Sequence, residues 1–414
     1  MKRITLQVAL LFCFAFTAMH SSAQNNMWVQ KANFGGNART VACGFGIGDS
    51  GYILTGQNGS FYNDVWAFDT ATNTWTQKPN FPGVAREGAA AVSLNGKGYV
   101  IGGKTGSGFV GDVWEYTPAT GTWTAKTSFI GAARYYAICV ADPANNKIYY
   151  GTGDKGVATY LTDWYVFDPI ADSWSALSAF PGGQRSYGVG FCINGTIYAG
   201  TGNGNGGAGA TSDWWSYNTG TDTWLSVAAV PGNARRDACT FVIGNRGYIC
   251  LGINGNTGEM SDLYMYDAVA NLWTAKANYG AGIASCAVAF TLGHSGFVGT
   301  GLNASNANTS QFWEFIAPNP AGIDEVNAES KNVNVYPNPN NGVFQIQANS
   351  YQLMANSQIE VYNALGQKVY SNQFITHNSS FIIDLSSQPA GIYLYRVISE
   401  NGNLVGEGKL VIER

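Results

Sequence analysis

Five arginines in this 414-residue sequence each stand eleven residues after a tryptophan: Trp28/Arg39, Trp75/Arg86, Trp123/Arg134, Trp174/Arg185 and Trp224/Arg235. A sixth tryptophan, Trp273, has Ala284 at that interval. A guanidinium is a planar fork that grips a carboxylate through two parallel hydrogen bonds. Five forks in one place would hold an anionic or polyhydroxylated ligand, with Tyr62, Tyr135, Tyr136, Tyr160 and Tyr187 offering faces for stacking. The competing use is internal, each arginine pairing with an aspartate further along its own unit. The sixth unit loses both partners together, having Ala284 and Gln311. Joint loss is what pairing would produce.

Other reactive side chains are sparse. The acids near the arginines are Glu87, Asp154, Asp237 and Glu259, and none sits in a motif that assigns a catalytic role. Beyond the first 23 residues the histidines are His294, in the turn "LGHSG", and His377. Two separated histidines give no metal-ligand spacing, so no metal and no cofactor is expected. "GNGNGG" from Gly202 lacks the lysine and the strand–helix context of a phosphate loop. Six cysteines follow the leader: Cys43, Cys139, Cys192, Cys239, Cys250 and Cys286. They read as small packed hydrophobes. Cys239 and Cys250 would face each other if a hairpin turns at Gly244-Asn245.

A repeat positions the arginines. The six tryptophans recur every 47 to 51 residues. An aromatic precedes a glycine by four at Tyr52/Gly56, Tyr99/Gly103, Tyr149/Gly153, Tyr198/Gly202, Tyr248/Gly252 and Phe297/Gly301. An acid opens an aromatic alternation at Asp64, Asp112, Asp163, Asp213 and Asp262, with Gln311 in the sixth copy. The second unit shows four short runs, "GAAAVSL", "GYVIGG", "DVWEY" and "TWTAK", with a hairpin signal at Asn95-Gly96. Four antiparallel strands at a period of roughly 50 residues suggest propeller blades. The glycine pair Gly102-Gly103, the aromatic third strand and the tryptophan of the fourth resemble the kelch family, over about Asn25 to Ile316. Trp28 belongs to an outer strand with no inner strands before it, whereas the sixth unit stops at "QFWEFI". The expected fold is therefore all-β, a six-bladed kelch-type propeller closed by an N-terminal outer strand.

In such blades the arginines begin the inner strands, beside loops rich in Gly, Asn and Ser. The expected ligand-binding ring at the channel mouth is Arg39, Arg86, Arg134, Arg185 and Arg235 with Tyr135 and Tyr187. The resemblance also implies enzymatic precedents. Copper-oxidase chemistry in the family needs histidines that this chain lacks. A kelch-fold sialic-acid epimerase implies a metal-independent sugar-modifying alternative. The favoured reading is a binding module for a glycan or protein ligand, with a structural surface protein as a further alternative.

Lys2 and Arg3, an apolar run from Val8 to Phe16 and "SSAQ" lay out a secretory signal peptide over 1–23. No later run approaches the roughly twenty apolar residues of a membrane helix. The net charge of −4 and the lack of a basic block argue against nucleic-acid binding. A monomer is expected.

After the propeller (24–316) comes a polar, proline-containing linker (317–332). Residues 333–414 then alternate apolar and polar between Asn, Gly and Pro turns, as a small immunoglobulin-like β-sandwich would. Tyr336-Pro337-Asn338-Pro339 with Gly342, Leu365-Gly366-Gln367, Gly391-Ile392-Tyr393 and the final Lys409-Leu410-Val411-Ile412 resemble the C-terminal sorting domain of type IX secretion in Bacteroidetes. That resemblance implies contact with the type IX machinery and a destination outside the cell or on its surface.

Overall fold

The computed structural model describes residues 26–157, 159–204, 209–255, 258–317, 333–348, 357–373, 380–398 and 404–413. The expected signal peptide and residues 318–332 of the expected linker lie outside the described residues. Regular structure among the described residues is strand throughout. None of their elements is a helix long and apolar enough to cross a membrane. The chain divides into two compact units, one ending at Asn319 and the other beginning at Pro320.

The first unit contains six four-stranded antiparallel sheets, one of them extended by the short strand Arg86–Glu87. Five run from inner to outer strand in chain order, as in Cys43–Ile47, Ser50–Leu54, Val65–Asp69 and Thr74–Lys78. The sixth combines Val288–Leu292, Ser295–Gly299 and Phe312–Ile316 with the N-terminal strand Met27–Gln30. Trp28 lies opposite Phe315, so the two ends of the unit share one sheet. The inner strands neighbour one another in sequence order, and Val288–Leu292 returns to lie beside Cys43–Ile47. Each sheet stays open, with its own inner and outer edge.

Aromatic side chains fill the wedges between twisted sheets. Phe34 meets Trp75 edge-on at 5.0 Å, Phe81 meets Trp123 at 5.2 Å, Phe129 meets Trp174 at 5.0 Å and Phe180 meets Trp224 at 5.3 Å. Tyr279 meets Trp28 in the same way at 5.0 Å, across the junction of the two ends. The indole N–H groups of Trp28, Trp75, Trp174, Trp224 and Trp273 donate to the carbonyls of Ala277, Ala32, Thr127, Ser178 and Ala228, each in the connection from the preceding unit. At two second-strand positions the adjacent sheet approaches so closely that only glycine fits. A Cβ on Gly98 would lie 2.2 Å from Phe45, and one on Gly247 equally close to Phe191.

The second unit is a sandwich of two antiparallel sheets. One holds Val333–Tyr336, Val343–Ala348 and Ser380–Asp384; the other holds Gln358–Asn363, Lys368–Gln373, Gly391–Ile398 and Leu404–Ile412. Phe344, Ile346, Ile359, Val361, Val397 and Leu410 are in its core. The expected motif residues do structural work here. The Asn338 side chain donates to the Lys409 carbonyl at 2.9 Å and accepts from the Val411 N–H at 2.8 Å, clasping the last strand. Gly342 has φ 103°, and a Cβ there would strike the Ser386 backbone. Gly366, φ 76°, turns a hairpin, and the Tyr393 hydroxyl donates to the Pro389 carbonyl at 2.7 Å.

Trp28 is 8 % exposed and carries both the indole hydrogen bond and the Tyr279 contact of the closing strand. Truncation to alanine should cost about 3–5 kcal/mol, read as a lower urea midpoint for Trp28→Ala with the denaturant slope unchanged.

Candidate functional site

Each expected arginine stands four residues before an inner strand, and its side chain points into its own sheet. Arg39 holds Asp64 through two hydrogen bonds of 2.6 and 2.7 Å, Arg86 holds Asp112 at 2.5 and 2.8 Å, Arg185 holds Asp213 at 2.6 and 2.9 Å, and Arg235 holds Asp262 at 2.7 and 2.8 Å. Arg134 makes the same two-pronged contact with Asp163. Each also donates to a backbone carbonyl at the end of the second strand: Thr55, Gly102, Thr152, Thr201 or Leu251. All five side chains are 0–2 % exposed. The expectation that Arg39, Arg86, Arg134, Arg185 and Arg235 ring the mouth for a ligand is therefore corrected. Their terminal nitrogens are already engaged by carboxylates and carbonyls, and solvent does not reach them; only the Nε of Arg185 and of Arg235 has no partner among the described residues. Burial alone would raise the Asp64, Asp112 and Asp213 carboxyls, but the hydrogen bonds and charge of their arginines outweigh it and hold them below the usual range.

The arginine backbones join neighbouring sheets. The N–H groups of Gly56, Gly103, Gly153 and Gly202 donate to the carbonyls of Arg86, Arg134, Arg185 and Arg235, each in the next unit, at 2.7–2.9 Å. Gly252 donates to Ala284 at 3.0 Å and Gly301 to Arg39 at 2.8 Å, completing the circuit. Two residues after the arginine position, a second circuit closes around the axis. Gly88 donates to Val41, Tyr136 to Gly88, Tyr187 to Tyr136, Asp237 to Tyr187, Cys286 to Asp237 and Val41 to Cys286, at 3.0–3.3 Å. All six residues have φ between 47° and 60°. Five are not glycine, and each left-handed residue stores about 1–2 kcal/mol that the closed circuit must offset.

This second circuit constricts the channel. Beyond it the inner strands enclose about 710 Å³ lined chiefly by small residues such as Gly44, Ala89, Ala141 and Ala287. At the constriction a pocket of about 150 Å³ is lined by Tyr136, Tyr187, Asp237 and Cys286 among others. Tyr136 stacks on Tyr187 with centroids 3.9 Å apart, and Tyr135 leans on Tyr136 at 4.1 Å. Tyr135 and Tyr187, expected at the mouth, are brought together there. Arg236 pairs with Asp237 at 2.5 Å and lies 5.6 Å over the Tyr187 ring. Lys104 reaches Glu87 at 3.4 Å and the Tyr135 ring at 5.8 Å. Asp154 bridges Tyr135 and Tyr160 through the backbone, and Asn203 donates to the Tyr160 hydroxyl at 3.0 Å. Tyr62 instead covers the Arg39 guanidinium at 4.2 Å. His294 is exposed in its turn, and His377 lies outside the described residues. Cys239 and Cys250 do face each other, with sulfurs 3.4 Å apart as thiols.

Burial pushes the Asp237 carboxyl up to about 6, against the lowering pull of the Arg236 charge and of hydrogen bonds from Cys286 and Arg236. It also pushes the Tyr136 and Tyr187 hydroxyls well up and the Tyr135 hydroxyl to about 12, so all three stay protonated donors. Among the described residues, no group of three His, Cys, Asp or Glu is placed to hold a metal ion. Arg236, Lys104 and Asn203 escaped the sequence reading. For Arg236 the available signal was the column next to the arginine, which changes from unit to unit while the arginine recurs in five.

Residues 10–191 match the family profile described as KLHDC2/KLHL20/DRC7 Kelch-repeats domain. Residues 334–413 match the Secretion system C-terminal sorting domain. The chain joins a kelch-repeat domain to a secretion sorting domain. The sorting domain directs this kelch protein through type IX secretion to the cell surface or beyond. The solved structure titled "Structure of YjhT" is similar in fold, with a TM-score of 0.58 at 16 % identity over 68 % of this chain and 95 % of that one. No curated protein sequence matches the chain significantly.

Two variants separate architecture from site. Asp64→Ala strands a fully buried guanidinium and should lower stability by about 3–5 kcal/mol in urea titration. Asp237 ionises near 6 when folded and near 3.9 when unfolded. Its ionisation therefore opposes folding, not below about pH 4 but increasingly as pH rises through 6, to about 3 kcal/mol. Asp237→Asn, which tolerates the left-handed backbone, should gain roughly that stability at pH 8 and nothing at pH 4.

Proposed function

We propose that the exported kelch protein is a binding module that seats a glycan or protein ligand at the constricted channel mouth. The observation that carries this reading is where the repeat varies. The clamp recurs in five units, whereas the two positions after it read Glu87-Gly88, Tyr135-Tyr136, Ser186-Tyr187 and Arg236-Asp237 in four consecutive units. The other two read Thr40-Val41 and Ser285-Cys286. Chemically rich side chains thus gather on one side of a nearly six-fold ring, which suits an asymmetric ligand. The half-buried tyrosine faces beside carboxylates, a guanidinium and an amide favour a glycan, whose C–H faces stack and whose hydroxyls both donate and accept.

One observation favours a second reading. An Asp237 carboxyl titrating near 6 beside Arg236 is poised to take and return a proton near neutral pH, as a metal-independent sugar-modifying enzyme requires. Screening the mature chain on a glycan array beside Tyr135→Ala and Arg236→Ala tests the binding reading. Selective glycan binding that falls at least tenfold in both folded variants is expected. Undiminished binding in both would move the site elsewhere. Turnover of a bound sugar that Asp237→Asn abolishes without loss of binding would establish the enzymatic reading.

A further inference from the structure

The sixth unit omits the clamp and leaves a space. A cavity of about 280 Å³ is lined by Tyr279, Gly282, Ala284, Asn303 and Gln311 among others. Ala284 and Gln311 occupy the places of the arginine and the aspartate. Much of a guanidinium's surroundings persists around them. Tyr279 stands five residues before Ala284, as Phe34, Phe81, Phe129 and Phe180 stand before arginines whose guanidinium carbons lie 4.8, 4.9, 4.8 and 5.2 Å from the ring centroids.

Thr300 has φ 59°, matching 60°, 58° and 52° at Thr55, Thr152 and Thr201. The carbonyls of those three residues accept from arginine Nη1 at 2.9, 2.8 and 2.7 Å. The Thr300 N–H is fixed by the Gln311 carbonyl at 3.0 Å, just as Thr201 is fixed by Asp213. Gly282, φ 89°, matches Gly183, φ 85°, two residues before Arg185; by the same register Ala281, which also lines the cavity, stands where Gly182 offers its carbonyl to Arg185 Nη2 at 2.5 Å. Gln311 accepts the Trp313 indole at 3.4 Å, the role that Asp64, Asp112 and Asp213 play toward Trp66, Trp114 and Trp215.

We propose that this cavity binds a guanidinium supplied from outside the chain, the arginine side chain of a protein or peptide. An aromatic face, backbone carbonyls and an amide oxygen attract a planar cation with in-plane donors and repel an anion. An ammonium fits less well, because it lacks the planar fork. Glutamine in place of aspartate is consistent with reversible filling. A buried carboxylate is tolerable when its arginine never leaves, but it carries a large desolvation cost whenever its partner is absent. A neutral amide leaves the empty cavity without that cost.

The test titrates N-acetyl-arginine amide and N-acetyl-lysine amide into the mature chain, with ligand-observed NMR as readout. The arginine probe should bind, and the lysine probe at least fivefold more weakly. Gln311→Asp should tighten the arginine probe about tenfold or more by making its hydrogen bonds charge-assisted. The double variant Ala284→Arg/Gln311→Asp rebuilds the clamp, so it should lose arginine binding and melt at a higher temperature. Failure of the probe to bind both the wild-type protein and Gln311→Asp overturns the proposal. Unchanged binding in the double variant overturns it as well.

Discussion

The buried guanidinium–carboxylate clamp is the contact on which the propeller depends. Each arginine reaches in two directions. Its backbone carbonyl receives a glycine N–H from the preceding sheet, and its side chain ties the second and third strands of its own sheet. The bond to the second strand ends on a residue with φ near 60°, so the guanidinium stabilises a backbone turn that threonine or leucine would otherwise resist. A fully buried charge is tolerable here because two carboxylate oxygens and a carbonyl meet its donors at once. The same residue thus ties its own sheet together through its side chain and meets the neighbouring sheet through its backbone.

With architecture assigned to the clamp, the remaining columns of the repeat are released for other uses. The residue after the arginine pairs through its backbone with the loop opposite, whatever its side chain: Glu87 with Lys104, Tyr135 with Asp154, Ser186 with Asn203. Main-chain pairing at these positions tolerates any side chain. The mouth can thus collect tyrosines, acids and an arginine without disturbing the ring beneath. The cost is local, in the left-handed residues that form the constriction.

The all-β kelch class and the sorting tail were legible in the sequence, because wedge-filling tryptophans and close-approach glycines recur wherever sheet meets sheet. The N-terminal outer strand was legible for a simple reason: Trp28 had no inner strands before it. The role of the arginines was only half legible. Spacing placed them near the starts of inner strands but could not say which way they point. The joint change at Ala284 and Gln311 was the better guide, since a pair packed together loses its reason when either member goes. Arg236 stayed hidden beside the in-register Arg235. Only the structure shows that the first is half-exposed at the mouth and the second enclosed.

The pairing of Trp28 with Phe315 also fixes an order of events. A linear array of repeats can begin folding anywhere and fray from its ends. Here the strand Met27–Gln30 completes the sheet of Phe312–Ile316, so its partner exists only once more than 280 residues have followed it. Contacts so distant in sequence carry a loop-closure cost before they return any stability. Closing the ring therefore requires the sixth unit, and a chain held back before that unit emerges cannot become a finished propeller.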